Sequence, residues 1–346
     1  MELTPIRVRG KRRARGEQLR IAPPPKRRDT RRGQGKQPRV RREASILETS
    51  LPLELVERIF WLSENVNFPR ASLRLGRLLS GRPTLHQTFL AAFAPTWEVW
   101  FGCVDGRGTQ SPTIHSYVGW QEDEDRFGGN PRFQTDVLAC SWATIEMILD
   151  CRDIWVQCHA QYAPFNYVPL WGDPINPSSY TGSGVTVGIS NIKDFRCYFY
   201  NDYDAFGNVE YQNTFSEKEY RKEHNHETWI EVHRSTEIPD HLITGPWDEG
   251  SLQKLFWLVQ AGARLSPNQT WEDTLRGFRN AIYDQDAPNF TAVRLLSILG
   301  AFREWPRRVQ DEEFYKFTCF LNTCKGDIDG HWRAKYDYFD GVLTYT

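Results

Sequence analysis

The chain has 346 residues, enough for one large domain or two ordinary ones, and aromatic residues make up 14% of it. Its longest mostly apolar run, 255–263, is far shorter than the roughly 20 residues that a membrane-spanning helix needs. The sequence therefore predicts no membrane span, and its aromatic content predicts a sizeable packed core.

The net charge of −1 is unevenly distributed along the chain. Residues 1–42 carry 16 Lys and Arg against three acids, a net charge of +13, whereas the remaining residues carry −14. Residues 1–44 contain five prolines and no aromatic residue, so they cannot bury enough apolar surface to offset the entropy cost of ordering. We predict that they form a disordered basic tail.

Two basic clusters in this tail are separated by ten residues, a spacing that resembles a bipartite nuclear import signal. The residues concerned are Lys11, Arg12, Arg13, Arg15, Lys26, Arg27 and Arg28. This pattern predicts an importin as a partner, and the alternatives are a solvated charge run or a nonspecific tether to nucleic acid. No apolar stretch follows the first basic residues, so no secretory signal is visible and we expect an intracellular protein of the nucleus, the cytoplasm or both.

Order is predicted to begin near Ile46. A first helix opens at Leu51-Pro52, with the proline in its first turn, where no amide donor is needed. A second helix is predicted over 69–79, with Gly81 as its stop, and a third opens at Pro83. Three short helices in fewer than 50 residues bury too little apolar surface to be stable alone, so another domain or a partner must cover them.

The rest of the chain gives a mixed pattern. Apolar spacing and capping residues predict helices over 135–159, 251–262 (capped by Ser251), 270–282 (a Thr270–Asp273 capping box), 289–305 and 310–322. Aromatic and β-branched runs predict strands over 97–104, 184–190, 195–200, 209–213 and 229–232. The expected fold class is mainly α with a small β portion (α+β): a three-helix module over 46–93, then a larger, mostly helical domain over 95–346.

The sequence of this module resembles the F-box family. The resemblance rests on Leu51-Pro52-x-Glu54-Leu55, on Ile59-Phe60 and Leu62, on the small-residue helix over 71–79 and on the turn Gly81-Arg82-Pro83. An F-box implies docking to the Skp linker subunit, and through it to the cullin scaffold, of an SCF-type ubiquitin ligase. The residues that the resemblance implies to bind this partner are Leu51, Pro52, Leu55, Ile59, Phe60, Leu62, Leu73, Leu78 and Leu79. Of these, Leu55, Ile59 and Phe60 would divide between the interface and the module's own core.

The resemblance implies a substrate adaptor whose C-terminal domain holds an unknown target protein, and ubiquitin transfer then belongs to partner subunits. No catalytic residue, cofactor or metal site is expected, because no nucleophile elbow, phosphate loop or dinucleotide fingerprint is present. The densest histidine cluster, His224-x-His226 with His233 beyond, lacks the spacing that places two ligands on one helical face. Three alternatives stay open: an ordinary helical subdomain, an enzyme or ligand-binding domain with a helical cap, and a nuclear protein tethered to nucleic acid.

Overall fold

The structure, a computed structural model, describes residues 50–101, 127–160, 164–167, 185–188, 192–208, 230–283 and 288–323. The helices in these ranges are α1 Leu53–Ser63, α2 Leu73–Leu78, α3 Arg82–Trp100, α4 Pro131–Leu138, α5 Ile145–His159, α6 Ile192–Asn208, α7 Asp240–Thr244, α8 Glu249–Gln260, α9 Trp271–Ile282, α10 Phe290–Ile298 and α11 Arg307–Thr323. A 3-10 turn, Phe68–Ala71, precedes α2. The prediction of a mainly α fold is confirmed.

Two short strands accompany the helices in the described part of the chain. Strand β1, Pro164–Tyr167, pairs antiparallel with β2, Val185–Gly188, so that Pro164 lies opposite Gly188 and Tyr167 opposite Val185. Strand β2 falls within the predicted strand 184–190. The predicted strand 209–213 lies outside the described residues, as do the basic tail and its two charge clusters.

Helix α3 is longer than the sequence predicts and includes the first part of the predicted strand 97–104. Its buried residues include Phe89, Phe93, Trp97 and Trp100, spaced four, four and three residues apart, so Trp97 and Trp100 extend one buried helical face. The strand prediction is therefore wrong for residues 97–100. The predicted border between the module and the larger domain, at 93–95, falls inside this helix.

The main core lies around α8. Leu255, Phe256, Trp257 and Leu258 are consecutive and all buried, which places α8 in the interior with neighbours on every side. Helices α5, α7 and α10 pack against α8. Helices α7 and α10 also contact α9, and α3 contacts α4 and α5, so one set of helix contacts extends from α3 to α10.

The predicted strand 195–200 is wrong, because these residues belong to α6. Phe199, Tyr203 and Phe206 are buried at spacings of four and three residues, and the ring centroids of all three lie 5.2–5.8 Å from that of Phe256. The helical period therefore brings three aromatic rings onto one ring of α8, and a strand would turn alternate side chains away.

Several predicted boundaries also need correction. The helix predicted over 135–159 is two helices, because the chain turns after Leu138 and restarts at Thr144, whose side chain accepts from the amide of Met147. Residues 230–232 are described and are not in a strand. The cap of α8 is Asp248, which accepts from the amide of Ser251 at 2.8 Å, so the prediction of Ser251 as the cap is wrong.

Buried polar contacts join distant parts of the chain. The fully buried Gln134 donates to the carbonyl of Ala92 and accepts from the amide of His233 and the hydroxyl of Thr236. Glu231 accepts from the indole Nε1 of Trp257 at 2.6 Å. These bonds hold residues 231–236 against helices α3, α4 and α8, and thereby satisfy polar groups that would otherwise be costly to bury.

Candidate partner-binding surface

The surface of interest is built by α1, the 3-10 turn and α2. Pro52 is the N-cap of α1 rather than a residue of its first turn, and its carbonyl accepts from the amides of Leu55 and Val56 at 3.2 Å each. Glu54 in the first turn suits the positive end of the helix dipole. Helix α1 therefore begins at Leu53, directly after the predicted start at Leu51-Pro52.

A small core holds these segments together. Val56 and Phe60 of α1 pack with Leu75 and Leu79, and the ring of Phe60 stacks on that of Phe68 at 6.0 Å. Among the described residues this cluster is separate from the main core around α8. Helix α1, the 3-10 turn and α2 therefore share a small core of their own.

A second side of α1 exposes large apolar side chains. Leu55, Ile59 and Leu62, which we call the apolar stripe, follow one another at spacings of four and three residues and are 47%, 37% and 77% exposed. Leu53 and, on α2, Leu73 are 41% and 67% exposed. Five of the eight exposed large hydrophobic residues in the described part of the chain thus lie in this module, a concentration typical of a protein interaction site.

The structure divides the predicted site residues into three groups. Pro52, Leu73 and the apolar stripe are exposed. Phe60 and Leu79 are buried in the small core, so they support the surface from behind. Leu51 and Leu78 are partly buried, and Leu51 packs against that core.

Sequence reasoning missed Leu53 as a surface residue. The sequence could have predicted such exposed residues, because residues 51–62 contain eight apolar side chains, more than one face of a short helix can bury. It also missed the arginines of this module. Arg70, Arg74 and Arg77 are exposed and make no ion pair with another described residue.

Three polar contacts hold α1 and the start of α3 in place. The hydroxyl of Thr84 on α3 donates to the carboxylate of Glu57 on α1 at 2.5 Å. The side-chain amide of Asn130 donates to the carboxylate of Glu64 at 2.5 Å, just after α1 ends. These contacts, together with the packing of α1 on α3, fix the direction in which the apolar stripe faces.

The third contact is a charge cluster at the start of α3. Arg82 and Arg196 both reach Asp150, at 2.6 and 2.5 Å, and Arg196 also donates to Asp153 at 2.6 Å. Burial alone would raise the pKa of Asp150, but hydrogen bonds from Arg196 and Arg82 outweigh it and hold that pKa below its usual value. At Asp153 burial prevails and raises the pKa.

Metal-ligating groups and membrane-spanning helices were both sought among the described residues. No group of three or more His, Cys, Asp or Glu side chains that could hold a metal occurs among them. His233 is buried, and its Nδ1 accepts from the amide of Ser235, whereas His224 and His226 lie outside the described residues. No helix in the part of the chain that the structure describes is long and apolar enough to cross a membrane.

Comparisons with known proteins identified no relative of this chain. A scan against protein-family models, a search of curated proteins and a search of solved structures each found no match to this chain. Any functional inference must therefore rest on the residues and their geometry.

Proposed function

We propose that this protein is a substrate adaptor of an SCF-type ubiquitin ligase, which docks the Skp linker subunit through the module at 46–93 and a target protein through the region at 95–346. The observation that carries the proposal is the exposed apolar stripe on α1, in a module whose sequence resembles an F-box. An adaptor needs such a surface, because a specific interface depends on a few apolar anchors near its centre.

The apolar stripe has the geometry of a helix that docks in a groove. Leu55, Ile59 and Leu62 project from one side of α1 at the i, i+4, i+7 spacing by which amphipathic helices present their anchors to a partner. Leu53 and Leu73 would widen the contact. We expect a buried area of roughly 1,000 Å² or more, the size of a standard specific interface.

Helix α3 supplies the mechanical link that an adaptor requires. It carries Thr84, which bonds α1, and also Trp97, which packs in the main core. At about 1.5 Å per residue, its 19 residues, which include Pro95, extend about 28 Å. A partner bound to α1 would therefore be held in a fixed orientation relative to a target on the body.

Binding of the full chain to a purified Skp linker subunit, measured by isothermal titration calorimetry, tests the proposal. The wild type should bind, and Leu55→Asp combined with Leu62→Asp should weaken binding at least about 100-fold, since a truncated hot spot costs about 2 kcal/mol or more and a charge in the interface costs more still. Both side chains are exposed, so the fold should tolerate the change.

Tyr315→Asp is the matched control. Tyr315 is 70% exposed, close to the 77% of Leu62, but lies on α11. It should leave the affinity unchanged within about twofold. A wild-type chain that does not bind the linker subunit would refute the proposal, and equal losses in the stripe variant and the control would show that the stripe is not the contact.

A further inference from the structure

The second half of the module is free of acidic residues. No Asp or Glu occurs between residues 65 and 97, whereas Arg70, Arg74, Arg77 and Arg82 all fall within that stretch. Arg82 is paired with Asp150. The other three are exposed, and none forms an ion pair with a described residue. Positive charge is therefore concentrated beside the apolar surface.

These arginines surround an exposed leucine. Leu73 and Arg77 lie four residues apart on α2, and Arg74 and Arg77 lie three apart, so their side chains are neighbours on the helix surface. Leu75 and Leu79 turn the other way, into the small core. Leu73, Arg74 and Arg77 thus form one outward-facing set on α2, and Arg70 is exposed on the turn before it. We call these four residues the basic strip.

The acids nearest in sequence do not neutralise this strip. Glu57 accepts from Thr84 of α3 and Glu64 accepts from Asn130 of the body, so both carboxylates already have a hydrogen-bond donor. Arg70 donates to the side-chain oxygen of Asn67, which carries no charge. Adjacent cations on so short a helix repel one another, and an anionic partner would relieve that repulsion.

We propose that the basic strip receives an acidic segment of the Skp linker subunit, with an apolar side chain of that segment against Leu73. This inference rests on the proposed function, because it names the charge of the surface that the same partner presents. The exposed aliphatic side chains of the module favour a protein partner over a nucleic acid. The exposed large side chains of the module are Leu and Ile, and single-stranded nucleic acids are bound by exposed aromatic rings on which bases stack.

The strip should act mainly on the rate of association. Complementary charges at the rim of an interface accelerate encounter and contribute less to the lifetime of the complex. Salt screens such charges, since the screening distance falls from about 14 Å at about 50 mM to roughly 4 Å at about 500 mM salt. Association should therefore slow by about tenfold across that range, with dissociation little changed.

Stopped-flow kinetics of the full chain with the purified linker subunit test this inference. Arg74→Glu with Arg77→Glu should lower the association rate constant about tenfold at low salt and remove its decrease with added salt. Arg276→Glu with Arg303→Glu is the control. Both of these arginines are exposed and outside the module, so the control changes net charge equally but should leave the kinetics unchanged.

The outcomes separate the two proposals. No binding by the wild type would overturn the proposed function and this inference together. Binding that is independent of salt and of the Arg74 and Arg77 reversals would overturn the inference alone. The inference would also be wrong if those reversals abolished binding of a DNA duplex or RNA oligonucleotide yet left linker binding unchanged, because the strip would then serve nucleic acid.

Discussion

The module and the body treat their apolar residues differently. Helix α8 of the body has twelve residues, of which seven are buried, whereas α1 has eleven residues, of which two are buried. Both helices are rich in large apolar side chains. Within the described part of the chain, the body therefore buries its own apolar surface, whereas the module leaves much of its apolar surface exposed.

The largest expected effect concerns the body. Phe256→Ala would remove the ring that Phe199, Tyr203 and Phe206 all contact, in a region with no solvent access. We expect a loss of about 3–5 kcal/mol in the free energy of unfolding, because the cavity adds to the lost burial. Denaturant unfolding followed by circular dichroism measures it, and a loss below about 1 kcal/mol would contradict a core centred on α8.

An intermediate effect is expected in the module. Phe60→Ala should cost about 3 kcal/mol, and the loss should be local, with faster amide hydrogen exchange in α1 and α2. Leu62→Ala, on the exposed side, should cost about 0.5 kcal/mol or less. If Phe60→Ala accelerated amide exchange equally in α8, the module and the body would unfold as one unit. That result would contradict the distinction between the two regions.

The smallest effect comes from a buried charge in the body. Lys254 is only 5% exposed, its ammonium donates to the carbonyl of Leu138 at 2.8 Å, and burial lowers its pKa to about 8. Because the folded pKa lies below the usual 10.5, the unfolded chain binds the proton more tightly. The destabilisation is complete below pH 8, declines as the pH rises to about 10.5 and is absent above that.

Lys254→Met should therefore stabilise the protein at pH 7, by about 1 kcal/mol. Removing the charge gains about 3 kcal/mol, and the unpaired carbonyl of Leu138 offsets about 2 kcal/mol of that. Above pH 10.5 the variant should be the less stable of the two. Thermal unfolding of both proteins from pH 7 to 10.5 measures the difference, and a constant difference would show that Lys254 does not titrate in this window.

Short-range sequence signals predicted the starts of several helices. Thr270 is the N-cap of α9 as expected, although its hydroxyl donates to Asp273 at 3.1 Å and makes no bond to a backbone amide. Asn289 caps α10 by accepting from the amide of Ala292. These signals act within four residues, so they can be recognised without knowledge of the fold.

Long-range packing determines the features that local sequence patterns did not predict. Residues 195–200 are dense in aromatic side chains, which suit a strand as well as a helix, and contact with Phe256 favours the helix. Buried Lys254 and Gln134 find partners about a hundred residues away, which no local pattern reveals. For the candidate surface, the surplus of apolar residues on α1 was readable, but only packing separates Phe60 from Leu55 and Ile59.

The continuity of α3 has a practical consequence for dissecting the protein. A fragment that ends at residue 93 would truncate this helix before Trp97, and a fragment that begins at 95 would leave the body without the helix turns that carry Phe89 and Phe93. Limited proteolysis should spare 82–100, because buried helical backbone resists cleavage. Neither fragment is expected to fold stably on its own. Binding to either surface should therefore be measured with the full chain.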